Sequence, residues 1–341
     1  MVTRREFLVE AAAGAAAAAG MVMGLPGPLR GAGPAPRRGK SRVVVIRHES
    51  LMAEDLAPPR IRNLLDEAAK TLAGESKAAD AWARWFRPDD RLGIKVNCLG
   101  YATHPAVAQS LAEAIGAVGL PPEQMILWDR TGRELQAAGY TLREAGPGVR
   151  CFGTDALESR GNAGYAAEIA TSGSIGSLYS RIITDETNTL VSACVLKDHG
   201  GAGLTCSLKN FFGAIHNPNK YHGNNCDPFV ADVCAHALIR DRLRLVVCDA
   251  THPQYHGGPA TRGQWQWPYG GLILGTDPVA VDSVAREILV RRRAAAKMKP
   301  LEAEGRPVRY LATAQARGLG TADLDRIEVI SIGKTWTDLL C

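Results

Sequence analysis

Short apolar runs alternate with segments of helical periodicity along most of this chain of 341 residues. The runs are bounded by glycine, proline and polar residues, which is typical of buried β-strands. Strands that alternate with helices form a mainly parallel sheet, because a crossover helix must return the chain before the next parallel strand begins. The sequence therefore predicts an α/β fold in which helices flank the sheet.

The predicted elements begin after a short basic stretch. Strands are predicted at residues 43–47, 92–97, 125–128, 149–152, 189–195, 243–248, 271–274 and 327–332. Helices are predicted at residues 59–72, 105–118, 134–138, 204–212 and 228–239, with one more from Pro278. Asp277 can cap this last helix, and a proline suits its first turn. We expect an α/β domain over residues 43–335, built as two Rossmann-like lobes over about 43–185 and 186–335 with a cleft at the carboxyl ends of the strands.

Residues 1–35 have the pattern of an export signal. Arg4 and Arg5 precede an alanine- and glycine-rich run, which is typical of a twin-arginine signal peptide. A membrane anchor is the alternative, but the apolar run is shorter than the ~20 residues that a spanning helix requires. We therefore expect transport by the twin-arginine export machinery to the periplasm or another extracytoplasmic space. Residues 36–42 are then an irregular basic linker, and the mature protein has no permanent membrane span.

Charge and cysteine content argue against some classes of function. The formal net charge is +5, and no nucleic-acid-binding motif lies beside the basic clusters, which argues against a nucleic-acid partner. Eight cysteines permit disulfides in an exported chain, although their spacing does not fix the pairing. No C-x-x-C occurs, which argues against a locally encoded iron–sulfur cluster or a thioredoxin-like redox pair.

The densest group of reactive side chains lies between residues 197 and 226, where a predicted strand, a glycine loop and a helix meet. Four residues are predicted to be catalytic: Lys95, Lys197, His199 and Lys209. Burying an unpaired ammonium group is costly, and an anionic ligand would offset that cost. In the alternative, the lysines form only structural ion pairs.

An anion-binding surface is predicted around these lysines. Polar residues end several strands, and the carboxyl ends of parallel strands meet in one cleft. Successive glycines before a helix can direct backbone N–H groups at a phosphate or carboxylate. The predicted anion-binding residues are Asn97, Asp129, Gly200, Gly201, Gly203, Asn210 and Asp249. The alternative for the Asp and Asn side chains is that they only cap the following helices.

Metal binding is a further prediction for the same region. Residues 199–256 contain six of the eight histidines and four of the eight cysteines. The ligands predicted for a metal ion or a metal-containing cofactor are His199, His216, His222, Cys206 and Cys226. Cys234 and Cys248 have apolar neighbours and are predicted to be small core residues.

Four segments together resemble a known family. They are I-K-V-N at residues 94–97, K-D-H at 197–199, K-N-F-F-G at 209–213 and G-T-D-P-V-A-V-D at 275–282. Over about residues 43–335 the chain is similar to the family catalogued as domain of unknown function 362. The resemblance implies no particular reaction. Some members are described as iron–sulfur proteins with ferredoxin-like cysteine motifs, which this chain lacks.

A weaker likeness is to the cofactor-binding segment of nickel-pincer lactate racemases. His199 and Lys209 are ten residues apart across a glycine-rich turn. In those enzymes a lysine holds an organic nickel cofactor and histidines move protons. The likeness implies that Lys209 would hold such a cofactor and that His199 would act as acid and base on a hydroxy acid.

Two functions therefore stay open. The first is an exported, metal- or cofactor-dependent enzyme that acts on a small anionic substrate by lysine and histidine acid–base chemistry, with Asp129 or Asp249 orienting His199 or binding a metal. The second is a non-catalytic protein that captures a metal ion, an iron–sulfur cluster or an oxyanion in the same cleft. The two differ in whether a substrate is consumed.

Overall fold

Eight strands form one mixed sheet in the computed structural model, which describes residues 39–339. The strands within these residues are β1 Ser41–Arg47, β2 Leu92–Val96, β3 Met125–Asp129, β4 Arg150–Gly153, β5 Ala170–Ser172, β6 Ile175–Ser177, β7 Thr189–Lys197, β8 Leu243–Gln254, β9 Gly271–Gly275 and β10 Ile327–Gly333. Their order across the sheet is β10-β1-β9-β8-β7-β2-β3-β4, and β5 and β6 form a separate antiparallel pair. Within the large sheet only β9 runs antiparallel to its neighbours. The prediction of an α/β fold with a mainly parallel sheet is confirmed.

Helices and two hydrophobic clusters cover the sheet. The α-helices within the described range are α1 Pro58–Ala73, α2 Ala78–Trp82, α3 Pro105–Gly116, α4 Gly132–Ala137, α5 Ser207–Asn210, α6 Phe229–Ala235, α7 Ala237–Arg240, α8 Pro278–Ala295 and α9 Tyr310–Ala316. In β1, Val43 and Val45 belong to one cluster and Val44 and Ile46 to the other. Successive side chains of a strand point to opposite faces, so each face of the sheet has its own core. Helices α5, α6, α8 and α9 pack on the first face, and α1 and α3 on the second.

Most predicted elements occur within a few residues of their predicted bounds, but two predicted helices in the second half differ in form. The predicted helix at residues 204–212 is the four-residue α5 followed by a 3₁₀ turn, Phe211–Ala214. Its start is held extended because Thr205 pairs with Lys197 in an isolated antiparallel bridge. The predicted helix at 228–239 is two helices, since His236 adopts an extended backbone between α6 and α7.

The two predicted lobes are not confirmed, because one sheet joins them. Strand β1 belongs to the predicted first lobe, yet both of its neighbours, β9 and β10, belong to the second. Strand β2 of the first lobe likewise pairs directly with β7 of the second. The predicted signal at residues 1–35 lies outside the described residues, as does the start of the predicted linker at 36–42. Among the helices from residue 39 to 339, none is long and apolar enough to cross a membrane.

Candidate active site

Lys95 and Asp129 form a buried ion pair at the carboxyl ends of β2 and β3. The Lys95 Nζ donates to Asp129 Oδ1 at 2.6 Å, to the Val96 carbonyl at 2.6 Å and to Asn210 Oδ1 at 3.2 Å. The Lys95 side chain is 1% exposed. Because three oxygens accept its three ammonium hydrogens, Lys95 has no donor left for a ligand.

Gly213 lies against this ion pair. A Cβ atom at this position would be 2.8 Å from Asp129 Oδ1 and 2.9 Å from Lys95 Nζ. Real Cβ atoms do not approach other atoms so closely, so a larger residue would force the buried charges to move. This close approach gives a physical reason for the glycine that ends the K-N-F-F-G segment.

Lys197, at the end of β7, holds the loop that follows β2. Its Nζ donates to Asn97 Oδ1 at 2.8 Å, to the Leu99 carbonyl at 2.6 Å and to the Tyr101 carbonyl. Burial lowers the pKa of Lys197 to about 7, yet the three oxygens fit the ammonium form, which has three hydrogens to donate. Asn97 also donates to Asn210 Oδ1 at 3.4 Å, so one polar network contains both lysines.

The glycine loop does not present the predicted anion-binding nest. The Gly200 amide donates to the Gly258 carbonyl at 3.0 Å, the Gly201 amide to His199 Nδ1 at 3.0 Å, and the Gly203 amide to the His199 carbonyl at 2.9 Å. These N–H groups stabilise the turn itself. The sequence correctly indicates a tight glycine turn, but the acceptors come from the protein.

The start of α5 is likewise satisfied from within the chain. The amides of Ser207 and Leu208 donate to the two carboxylate oxygens of Asp282 at 2.8 and 3.1 Å. Asp282 lies on α8 and is fully buried. An internal carboxylate therefore lies where the sequence suggested an external anion.

His199 is a fixed neutral hydrogen-bond donor. Its Nδ1 accepts from the amides of Gly201 and Ala202, each at 3.0 Å, which leaves the proton on Nε2. Burial, with the nearby charges of Lys209 and other cationic groups, lowers the pKa of His199 to about 2. The ring therefore stays neutral at physiological pH, and within residues 39–339 its Nε2–H has no hydrogen-bond acceptor.

Asp249 does not orient His199, contrary to one of the predicted roles. Its Oδ2 accepts from the His104 amide at 2.9 Å, and its Oδ1 accepts from the Thr251 amide and hydroxyl. Asp249 lies inside β8, which continues to Gln254 beyond the predicted end at residue 248. The carboxylate therefore joins His104, the residue before α3, to the last part of β8.

Lys209 and His222 contact each other and keep hydrogen-bonding atoms that a ligand could use. The Lys209 Nζ lies 3.1 Å from His222 Nε2 and 4.0 Å from the centre of the Phe212 ring. His222 Nδ1 donates to the Pro218 carbonyl at 2.9 Å, which places the Nε2 lone pair toward Lys209. Burial lowers the pKa of Lys209 to about 8, and burial together with Lys209 lowers the pKa of His222.

The five predicted metal ligands are not brought together. His216 is exposed and its ring contacts Tyr165. His199 and His222 stack at 5.6 Å, and Cys226 lies beside His222, but Cys206 is in the core with Cys194 and Cys248. Across residues 39–339, the group of side chains that could hold a metal ion is this buried triad, Cys194, Cys206 and Cys248, whose sulfurs all lie within 4.8 Å.

Arg306, which no sequence pattern indicated, anchors the turn that follows β7. Its guanidinium donates to Asp198 Oδ1 at 2.5 Å and to the His199 carbonyl at 3.2 Å. It also contacts Glu304. No local pattern marks this residue, because the contact spans more than 100 positions. Phe212, whose ring lies under the Lys209 Nζ, was noted in the sequence only as part of the K-N-F-F-G segment.

The His199→Asn variant is expected to flatten the dependence of stability on acidic pH. The folded protein keeps His199 neutral down to about pH 2, whereas the unfolded imidazole takes up a proton near its ordinary pKa of 6.5. Below pH 6.5 the unfolded state therefore binds more protons, and the free energy of unfolding falls as the pH falls. Urea denaturation from pH 7 to pH 4 measures the slope. The exposed His216→Asn variant should keep the wild-type slope, and equal slopes for wild type and His199→Asn would contradict the assignment.

Comparison with known protein families identifies a related family. A family model described as domain of unknown function (DUF362) matches residues 93–287, which is more than half of the chain. The match begins in β2, ends in α8 and includes Lys95, Lys209 and His222. No curated protein matches the chain.

Proposed function

The chain belongs to the DUF362 family, whose description assigns no reaction, and on that premise we propose a function from its own side chains. The proposed function is proton transfer on a small anionic substrate that contains a carbonyl or hydroxyl group next to its carboxylate. Lys209 and His222 carry it, with His199 as a hydrogen-bond donor. The observation that supports it is the 3.1 Å contact between a buried lysine amine and the imidazole Nε2 of His222.

Lys209 differs from the other two lysines in its unused hydrogens. Lys95 and Lys197 each donate to three oxygens. Among residues 39–339, the Lys209 Nζ has one hydrogen-bond partner, His222 Nε2, and an aromatic ring beneath it. Two of its ammonium hydrogens are therefore available to the oxygens of a bound anion.

His222 has the arrangement of a general base. Its Nδ1–H is fixed on the Pro218 carbonyl at 2.9 Å, so the tautomer with a free Nε2 lone pair is selected. A base that is held by a third group and contacts an ionisable partner is the usual arrangement for activated side chains. When the Lys209 ammonium turns toward a substrate anion, Nε2 becomes free to accept a proton.

These groups suit the removal of a proton from the carbon next to a carboxylate or carbonyl. The Lys209 ammonium and the His199 Nε2–H would bind the oxygen on which negative charge develops, and His222 Nε2 would take the carbon-bound proton. In a buried site such charge stabilisation is stronger than in water. The proton balance closes when His222 exchanges its new proton with solvent and returns a proton to the same carbon.

Deuterium exchange tests this proposal without knowledge of the full reaction. Wild-type protein is incubated in D₂O with pyruvate, 2-oxoglutarate, lactate and malate, and the loss of the carbon-bound proton signal is followed by NMR. We expect exchange above the buffer rate for at least one acid. The rate should fall above about pH 8, where Lys209 loses its charge, and also at acidic pH, where His222 becomes protonated. Binding of an acid without any exchange would instead support the non-catalytic function.

Export is a separate part of the proposal. It rests on Arg4, Arg5 and the alanine-rich run after them, and it places the protein in the periplasm or another extracytoplasmic space. Fractionation of the native host's cells checks it, since a cytoplasmic protein of full length would contradict it. The implied nickel cofactor on Lys209 stays a prediction.

A further inference from the structure

Three buried cysteines converge on the face of the sheet that α5 and α8 cover. Cys194 in β7 and Cys248 in β8 are register partners on adjacent parallel strands. Cys206, immediately before α5, places its Sγ 3.5 Å from the Sγ of each. All three side chains are fully buried. We infer that this triad is a binding site for a thiophilic metal ion, with Zn²⁺ as its test ligand, separate from the lysine and histidine site.

The sulfur separations fit an ion better than a disulfide. With Zn–S bonds of about 2.3 Å in tetrahedral geometry, bound sulfurs lie about 3.8 Å apart. The two separations of 3.5 Å differ from that value by a few tenths of an ångström. A disulfide needs sulfurs at about 2.05 Å, so either pair would have to close by well over an ångström within a packed core. The triad is therefore preorganised for shared coordination.

Asp282 provides a second, electrostatic reason to expect a cation at the triad. It is fully buried beside the triad, since its Oδ1 accepts from the amide of Ser207, the residue after Cys206. None of the lysines and arginines between residues 39 and 339 forms an ion pair with it. A buried carboxylate without a cation is costly. Without an ion, burial favours the neutral acid and raises the pKa of Asp282. A divalent ion on the triad would stabilise the carboxylate form, with Asp282 as the neighbouring oxygen donor.

The nearby Cys234 provides a matched control. It is also buried on this face, but its Sγ donates to the Leu208 carbonyl at 3.3 Å and it is not part of the triad. Replacing it with serine preserves the three sulfurs of the triad while removing a buried thiol. A general effect of thiol loss on folding would therefore appear in Cys234→Ser as well.

Because the three sulfurs are inaccessible in the folded chain, the ion must bind during folding. The test refolds reduced, full-length protein with Zn²⁺, removes loosely bound metal with a chelator and measures zinc per chain by mass spectrometry. We expect one zinc in wild type and in Cys234→Ser, and its loss in Cys206→Ser and in Cys248→Ala. Proton release on binding should accompany zinc uptake, because thiols lose their protons to become ligands. Lys209→Met should keep its zinc, which separates this site from the proposed active site.

Cobalt provides a readout that does not depend on any variant folding. Wild-type protein refolded with Co²⁺ should show a thiolate-to-cobalt charge-transfer band and the visible spectrum of tetrahedral cobalt. Wild-type protein that refolds with reduced thiols, yet retains neither zinc nor the cobalt band, would overturn the inference. A disulfide between Cys194 and Cys206, found by mass spectrometry in protein from the native host, would also overturn it.

Discussion

The Lys209→Met variant is expected to lower the rate of deuterium exchange by about 10²- to 10⁴-fold, the usual contribution of a positioned acid or base. Methionine keeps much of the length and the apolar contact with Phe212 but removes the charge and all three donors. The substrate anion then has no cation to pair with, and His222 loses the group that it faces at 3.1 Å. NMR exchange rates at saturating and at low acid concentration measure the effect on both kcat and kcat/KM.

Two further variants show whether the exchange depends on the titration of Lys209 or only on its positive charge. The exposed Lys220→Met should leave the exchange rate unchanged, because Lys220 contacts the Tyr221 ring outside the site. Lys209→Arg keeps a positive charge that is not lost at any accessible pH. It should therefore bind the acid but lose the fall in rate near pH 8. A wild-type exchange rate in Lys209→Met would remove this lysine from the mechanism.

The Asp129→Asn variant is expected to lower the free energy of unfolding by about 3–5 kcal/mol, the usual cost of removing one partner of a buried ion pair. Lys95 is 1% exposed and Asp129 is nearly as buried. Asparagine keeps the shape of the side chain but leaves the ammonium without its counter-charge. Asp129 Oδ2 also accepts from the Cys98 amide at 2.7 Å. The substitution therefore also weakens the contact between the end of β3 and the loop after β2. Equilibrium denaturation in urea measures the loss.

A surface ion pair gives the comparison for this prediction. Asp185 pairs with Arg181 at 2.9 Å in an exposed position, and Asp185→Asn should cost less than about 1 kcal/mol. The double variant Lys95→Met with Asp129→Leu removes both charges, so it should be more stable than Asp129→Asn. If Asp129→Asn and Asp185→Asn were equally mild, the buried pair would not be ionic in the folded protein.

The fold was largely accessible from the sequence because its signals are local. Buried strands are short apolar runs, and Asp277 caps α8 as predicted, accepting from the amides of Val279 and Ala280 at 3.0 and 2.9 Å. The neighbour order of the strands has no such signal. The pairing of β1 with β9 and β10 joins residues that are more than 200 positions apart, which is why two lobes were expected where one sheet exists.

The sequence indicates where reactive side chains concentrate, but it does not distinguish the roles of the individual residues. Lys95, Lys197 and Lys209 are alike as residue types. They differ in the acceptors around each Nζ, which come from β2, β3, α5 and distant loops. The cysteine triad was hidden for the same reason. Cys194 and Cys248 become neighbours only through the register of β7 and β8, and the apolar residues around Cys248 favoured a core assignment.

The position of β1 between two late strands has a consequence in the cell. While the ribosome is still making the chain, the run V-V-V-I has neither neighbour available, because β9 and β10 are synthesised last. An unpaired apolar strand readily adds to strands of other molecules, and sheets closed by such distant pairings form slowly. We therefore expect the nascent protein to depend on a chaperone that shields this segment until translation is complete.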